Sequence, residues 1–120
     1  MTAIVLEDEA VIAVGIAAEL SAGGMHVPEP FPTSTAALHW LAHNHPDVAV
    51  VDLKLADGFC CRAVDRLCAQ GVPIVFFTGV IDTPASLKKA VGARWIFKPA
   101  SLGVVVDAVY KQLAPRSALA

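Results

Sequence analysis

Val48-Ala49-Val50-Val51-Asp52-Leu53-Lys54-Leu55-Ala56-Asp57-Gly58 carries the clearest structural pattern in the chain. Four apolar residues, three of them valine, run directly into a carboxylate. β-Branched side chains favour a strand. A run that is apolar at every position, rather than at alternate ones, is the pattern of a strand buried on both faces of a parallel sheet. An acidic residue closing such a strand needs a partner or a function, because burying an unpaired charge is costly.

Outward from that strand the pattern repeats. Upstream, Ala3-Ile4-Val5-Leu6 is a first strand, and a helix is expected from about Glu9 to Leu20, closed by Gly23-Gly24. Met25-His26-Val27 is a short second strand, stopped by Pro28 and Pro30. Thr33, Ser34 and Thr35 offer N-caps for a second helix carrying Ala37, Leu38 and Leu41, which stops before Pro46. Downstream, Gly58 is expected to open a third helix that ends near Gly71. Pro73 leads into a fourth strand, Ile74-Val75-Phe76-Phe77. Thr83-Pro84 pairs an N-cap with proline at the first helical position, predicting a short helix from roughly Pro84 to Val91. Arg94-Trp95-Ile96-Phe97 is the fifth strand, and a last helix runs from about Ser101 to Leu113. Strand and helix alternating in this way predict an α/β fold, a parallel sheet covered by helices on both faces.

Length and charge narrow the function classes. A chain of 120 residues suits a single domain, expected over residues 1–120, that buries its core without disulfides. The mean hydropathy is high, +0.61, yet no apolar run approaches the ~20 residues of a membrane helix. The start, Met1-Thr2-Ala3-Ile4, has no basic signal region, so a cytoplasmic setting is expected. A formal charge of −2 without a Lys/Arg stripe argues against electrostatic nucleic-acid binding. Cys60, Cys61 and Cys68 lack zinc-type pairing and read as reduced packing residues, with a redox switch the lesser alternative. His39 and His43, a helical turn apart, with His45 beyond them, read as a solvated face rather than a metal site.

Parallel sheets place their chemistry outside the carboxyl ends of the strands. Those ends carry Glu7, Asp8 and Glu9 after the first strand, Asp52 after the third, Thr78 after the fourth and Lys98 after the fifth. Each has a bland reading: Asp8 or Glu9 as a helix cap, Thr78 as an ordinary strand residue, Lys98-Pro99 as a strand exit. Together they have one chemical use. Clustered carboxylates repel unless a cation joins them, and an all-oxygen site suits Mg²⁺. Phosphoryl transfer needs mainly positioning and charge stabilisation, which a metal, a Lys and a hydroxyl donor supply, with Asp52 as the nucleophile.

These residues resemble the receiver (CheY-like) domain of response regulators in two-component systems, over nearly the whole chain. "IVLEDEAVIA" resembles the family's first strand with its acidic pair, Glu7 and Asp8. "VVDLKLADG" is similar to the phosphoacceptor strand and loop, with Asp52 as acceptor. "FFTG" carries Thr78 and "WIFKP" carries Lys98, before a proline whose peptide bond is usually cis in the family. The resemblance implies a flavodoxin-like (βα)5 fold, doubly wound, with a five-stranded sheet in the order 2-1-3-4-5. It implies Mg²⁺ held by Glu7, Asp8, Asp52 and the backbone carbonyl of Lys54, with Thr78 and Lys98 on the phosphoryl group. Three features depart from the usual pattern. Ala56 replaces a proline, although Asp57-Gly58 is kept; Trp95 stands where a switch Tyr or Phe is usual; and the Thr78-to-Lys98 interval is short. The last feature resembles a subgroup with a Phe-x-Thr-Gly motif and a reduced fourth helix, although Val80 stands where that subgroup often has Tyr.

The function expected is therefore that of a phosphorylation-controlled module rather than a turnover enzyme. Its partners are a histidine kinase or histidine phosphotransfer protein and a downstream protein. The apolar excess of the last helix (Val104, Val105, Val106, Val109, Leu113) suggests a patch for a second copy or a kinase docking domain. One alternative is a pseudo-receiver that only binds a partner. Another is an Asp-nucleophile phosphatase, which needs a second Asp two residues beyond the nucleophile, where this chain has Lys54.

Overall fold

The computed structural model describes residues 1–114; the last six residues of the expected domain, 115–120, lie outside the described residues. Strands β1 (Ala3–Leu6), β2 (Val48–Val51), β5 (Ile74–Thr78) and β6 (Arg94–Phe97) pair in parallel in the order β1-β2-β5-β6. Every residue of β1, β2 and β5 is buried, as their unbroken apolar runs require. Helices α1 (Ala10–Ala22) and α4 (Leu102–Leu113) cover one face, where Val5, Ile16, Leu20, Val75, Val105 and Val109 share a core cluster. Helices α2 (Ser34–Leu41) and α3 (Cys61–Ala69) cover the other, around Leu6, Leu41, Val51, Leu67 and Phe76.

The expected five-stranded sheet is corrected to four. Residues 25–31 lie along the outer edge of β1 in the place of a second strand, but touch it only at the isolated bridges Thr2↔His26 and Leu6↔Phe31. Pro28 and Pro30 fall between those bridges and have no N–H to give a ladder. With this segment counted, the spatial sequence still follows 2-1-3-4-5.

Three boundaries have local causes. α1 ends in a Schellman arrangement: Gly24 N–H donates to the Ser21 carbonyl at 3.0 Å and Met25 N–H to the Leu20 carbonyl at 3.2 Å. The left-handed residue there is Gly24 (φ 95°), not Gly23 (φ −80°). Gly58 does not open α3, contrary to expectation. It pairs with Leu55 in a small antiparallel hairpin, β3 (Lys54–Leu55) and β4 (Gly58–Phe59), and α3 begins at Cys61. The short helix expected at Pro84–Val91 is a 3₁₀ turn, Ala85–Lys89, with Leu87 buried against the α2–α3 side.

Candidate functional site

The chain direction of the parallel sheet puts the carboxyl ends of β1, β2, β5 and β6 side by side, and the expected polar residues meet there. Asp52 follows β2 and donates its N–H to the Leu6 carbonyl at 2.9 Å, so its position is set by the strand it extends. Its residue exposure is 7%. Glu7, just past β1, is 4% exposed. Lys98, just past β6, reaches both: its Nζ donates to Glu7 Oε1 at 2.8 Å and to Asp52 Oδ2 at 3.0 Å. Glu9 Oε1 stands farther off, 3.8 Å from the same ammonium. Lys98 is held by backbone as well, since its N–H donates to the Thr78 carbonyl at 2.9 Å. The peptide bond from Lys98 to Pro99 is cis.

The electrostatics follow from burial and from this pairing. Burial pushes the Glu7 carboxyl up to about 7; the Lys98 hydrogen bond opposes that and the Asp52 charge reinforces it. Burial alone would lower Lys98, but its hydrogen bonds to Glu7 and Asp52 outweigh it and the ammonium is held above its ordinary range. One ammonium is therefore shared by a pair of carboxylates that would otherwise repel.

Asp8 is exposed beside this pair, and one oxygen each from Glu7, Asp8 and Asp52 all lie within 4.8 Å of one another. A single cation can reach all three, and an oxygen-only donor set suits a hard ion. The capping alternative weakens for Glu9, which occupies the N-cap position of α1 but makes no side-chain capping bond. Lys54 projects an exposed side chain, and its N–H lies 3.5 Å from Asp52 Oδ1, a long contact.

Thr78 closes β5 and is fully buried. Its Oγ1 accepts the Val80 N–H at 3.1 Å, which leaves the hydroxyl hydrogen to be donated elsewhere. Trp95 is not beside the acidic cluster. It is half-buried in β6 and stacks on Phe76 with ring centroids 4.1 Å apart. Phe76 and Thr78 share one face of β5, so Trp95 contacts the residue two positions before Thr78. The cysteines play no part in the cluster: Cys60 is fully buried, which pushes its thiol up to about 12, and Cys61 and Cys68 are half-buried and form no disulfide. His45 Nε2 lies 2.9 Å from the Gln70 carbonyl, and His39 and His43 are exposed. A cleft of about 330 Å³, lined by Cys68, Val72, Ile74, Ala90, Val91 and Gln112, includes the amino-terminal end of β5, away from the cluster.

Sequence reasoning missed two contacts. The Lys98 ammonium sits 5.5 Å from the centre of the Phe77 ring, and the Asp57 carboxylate binds the start of α2. The first was implicit in the strand ends; the second joins residues 22 and 23 positions apart that no local pattern links.

No sequence-family model and no curated protein sequence matches the chain. Its backbone does match solved structures. A CheY-like response regulator receiver domain protein from Methanospirillum hungatei JF-1 superposes with a TM-score of 0.83 at 17% identity, covering 99% of this chain and 98% of that one. The N-terminal domain of a response regulator/sensory box/GGDEF protein from Carboxydothermus hydrogenoformans gives 0.81 at 22% identity, covering 98% of each. This chain has the receiver-domain fold. A response regulator receiver protein from Sinorhizobium medicae WSM419 agrees, at a TM-score of 0.80 and 20% identity over 97% of this chain and 96% of that one. Within the receiver fold the acidic cluster lies at the carboxyl edge of the sheet, where doubly wound folds carry their ligands.

Proposed function

We propose that this chain is a phosphoacceptor receiver domain, which takes a phosphoryl group onto Asp52 from a histidine kinase or a histidine phosphotransfer protein. The observation that carries the reading is the Asp52 carboxylate, 7% exposed at the end of β2, with Lys98 Nζ 3.0 Å away and the oxygens of Glu7 and Asp8 in reach of a common cation. A carboxylate oxygen of Asp52 attacks phosphorus while the N–P bond of the donor phosphohistidine breaks and its electron pair returns to the imidazole. Lys98, 3.0 Å from Asp52 Oδ2, exchanges part of that contact for the transferred oxygens. Thr78 donates the hydroxyl hydrogen that its contact with Val80 leaves available. Glu7, Asp8, Asp52 and the backbone carbonyl of Lys54 are the residues that would hold Mg²⁺. That ion supplies charge neutralisation as the phosphoryl group arrives.

Hydrolysis reverses the state: water attacks phosphorus, the acyl phosphate bond breaks, and Asp52 regains its carboxylate. The chain is thus a self-phosphorylating switch and not a turnover enzyme. Its output is altered affinity for a downstream protein. Among the described residues no helix is long and apolar enough to cross a membrane.

Intact mass after incubation with acetyl phosphate and Mg²⁺ tests the reading. Wild type gains one phosphoryl group, and Asp52→Asn gains none. Uptake by Asp52→Asn at the wild-type rate, or no uptake by wild type, refutes it; the second result favours a domain that binds its partner without phosphorylation.

A further inference from the structure

The segment between Asp52 and α3 is tied down at its tip as well as at Asp52. Its tip, Ala56-Asp57, docks on the amino-terminal end of α2. Ala56 N–H donates to the Pro32 carbonyl at 3.0 Å. Asp57 Oδ1 accepts the Ser34 N–H at 2.9 Å, and Oδ2 accepts the Thr35 N–H at 3.1 Å and the Thr35 hydroxyl at 3.2 Å. Arg62, in the first turn of α3, stands 3.9 Å from the same carboxylate and 3.3 Å from Thr35 Oγ1. Those hydrogen bonds, the Ser34 N–H foremost, hold the Asp57 carboxyl below its ordinary range.

α2 does not depend on this carboxylate for its cap. Thr33 Oγ1 already accepts the Ala36 N–H at 3.0 Å, as an N-cap residue does. Asp57 satisfies the two N–H groups before it, and in doing so fixes its own loop. The loop's other end is fixed by Asp52, and its middle by the Lys54↔Phe59 and Leu55↔Gly58 pairs, with Leu53 and Leu55 buried beneath. Gly58, at φ 112°, permits the turn that brings Asp57 across to α2. Lys54 therefore sits on a short span anchored at both ends.

We propose that Asp57 is a positioning residue for the cation site: it clamps the Leu53–Phe59 loop to α2, which holds the Lys54 backbone against the Asp52 carboxylate. This rests on the phosphoacceptor reading above. Groups that orient metal ligands from a distance typically change metal affinity by about 10- to 100-fold when removed. The loss here sits at the low end of that range, because the hairpin and the buried leucines keep part of the loop's shape.

The test is a titration of the full chain with Mg²⁺ alone, followed by the backbone amide shifts of residues 52–58, in wild type, Asp57→Ala, Asp57→Asn and Thr33→Ala. Acetyl phosphate uptake by wild type is measured in parallel. Asp57→Ala weakens Mg²⁺ binding about 10-fold. Asp57→Asn, which keeps one acceptor for Ser34 but faces Thr35 with an amide N–H, falls between it and wild type. Thr33→Ala lowers the thermal midpoint by removing a cap of α2, yet leaves Mg²⁺ affinity unchanged. Equal affinity in Asp57→Ala and wild type overturns the proposal, and so does an equal loss in Thr33→Ala, which would assign the effect to helix stability. Wild type that binds Mg²⁺ but takes up no phosphoryl group refutes the phosphoacceptor reading while the positioning role is still read from the affinities. Wild type that binds no Mg²⁺ overturns both.

Discussion

At Lys98 a single ammonium answers two buried carboxylates, 2.8 Å from Glu7 and 3.0 Å from Asp52, with only 16% of its side chain exposed. Breaking a buried pair by removing one partner usually costs about 3–5 kcal/mol. Glu7 softens that cost, because its carboxyl is already pushed up to about 7 and takes a proton more readily once the ammonium has gone. Lys98→Met, close in shape but uncharged, is expected to lose about 2–3 kcal/mol of stability near neutral pH without divalent ions. Mg²⁺ should then raise its thermal midpoint by more than it raises that of wild type, since the cation becomes the positive charge nearest the cluster. Thermal unfolding of both proteins with and without saturating Mg²⁺ checks this. An equal Mg²⁺ increment would mean that Lys98 does not share the work of neutralising the carboxylates. The meeting of Glu7, Asp8, Asp52 and Lys98 was legible in the sequence because they follow apolar strands, and a parallel sheet gathers such ends. What was not legible was that Glu7, rather than Asp8, is the buried member of the acidic pair, or that Asp57 reaches α2. Both depend on the path of the chain beyond the strands.

Among the elements, the strands and long helices were readable because burial on both faces and helical spacing leave direct marks on sequence. The weak elements were not. Residues 25–31 looked like a strand from Met25-His26-Val27, but the prolines after it restrict pairing to one bridge at each end of β1. Gly58 looked like a helix start, but it turns a hairpin while the neighbouring Asp57 carboxylate holds the first N–H groups of another helix. The segment after Thr78 forms the 3₁₀ turn Ala85–Lys89 instead of the short helix expected there. Its hold on the domain is Leu87, 1% exposed in the cluster beneath α2 and α3, supported by the Ser86 hydroxyl at 3.4 Å from Cys61 Sγ. Leu87→Ala should cost about 2–4 kcal/mol, the usual range for a buried leucine. Its phosphoryl uptake should be retained, because Leu87 belongs to the hydrophobic cluster and not to the acidic one. Urea unfolding measures the first and intact mass the second. A loss below about 1 kcal/mol would show that the turn is not part of the cooperative core.

For the molecule as a whole, the proposed function requires a route by which a phosphoryl group on Asp52 would change a distant surface. The path available runs along β5. Thr78 ends β5 beside Lys98, whose N–H its carbonyl accepts, and Phe76, two residues earlier on the same face, stacks on Trp95 at 4.1 Å and 25°. Trp95 in turn lies 6.4 Å from Phe97, whose side is half-exposed at 49%. A hydroxyl drawn toward a phosphoryl oxygen pulls on the end of β5 and on the loop through Val80, whose N–H is bonded to that hydroxyl. Under the proposed function, a bound phosphoryl group is expected to shift the indole from its stack on Phe76 toward a displaced packing, by whatever difference in affinity it has for the two. An indole is bulky and its stack is close, so the displaced arrangement must change the polarity around the ring. Trp40→Phe leaves Trp95 as the remaining tryptophan and keeps an aromatic ring against Phe31, which lies 5.9 Å from Trp40. Addition of Mg²⁺ with beryllofluoride should shift the emission of this variant in wavelength or intensity. Adding Thr78→Ala should abolish that shift while the thermal midpoint still rises with ligand, because binding persists but its link to β5 is cut. Emission unchanged in the single variant, with binding verified by that midpoint, would exclude Trp95 from the switch. Readout would then pass through residues 79–92, where the chain between β5 and β6 holds its one short 3₁₀ turn.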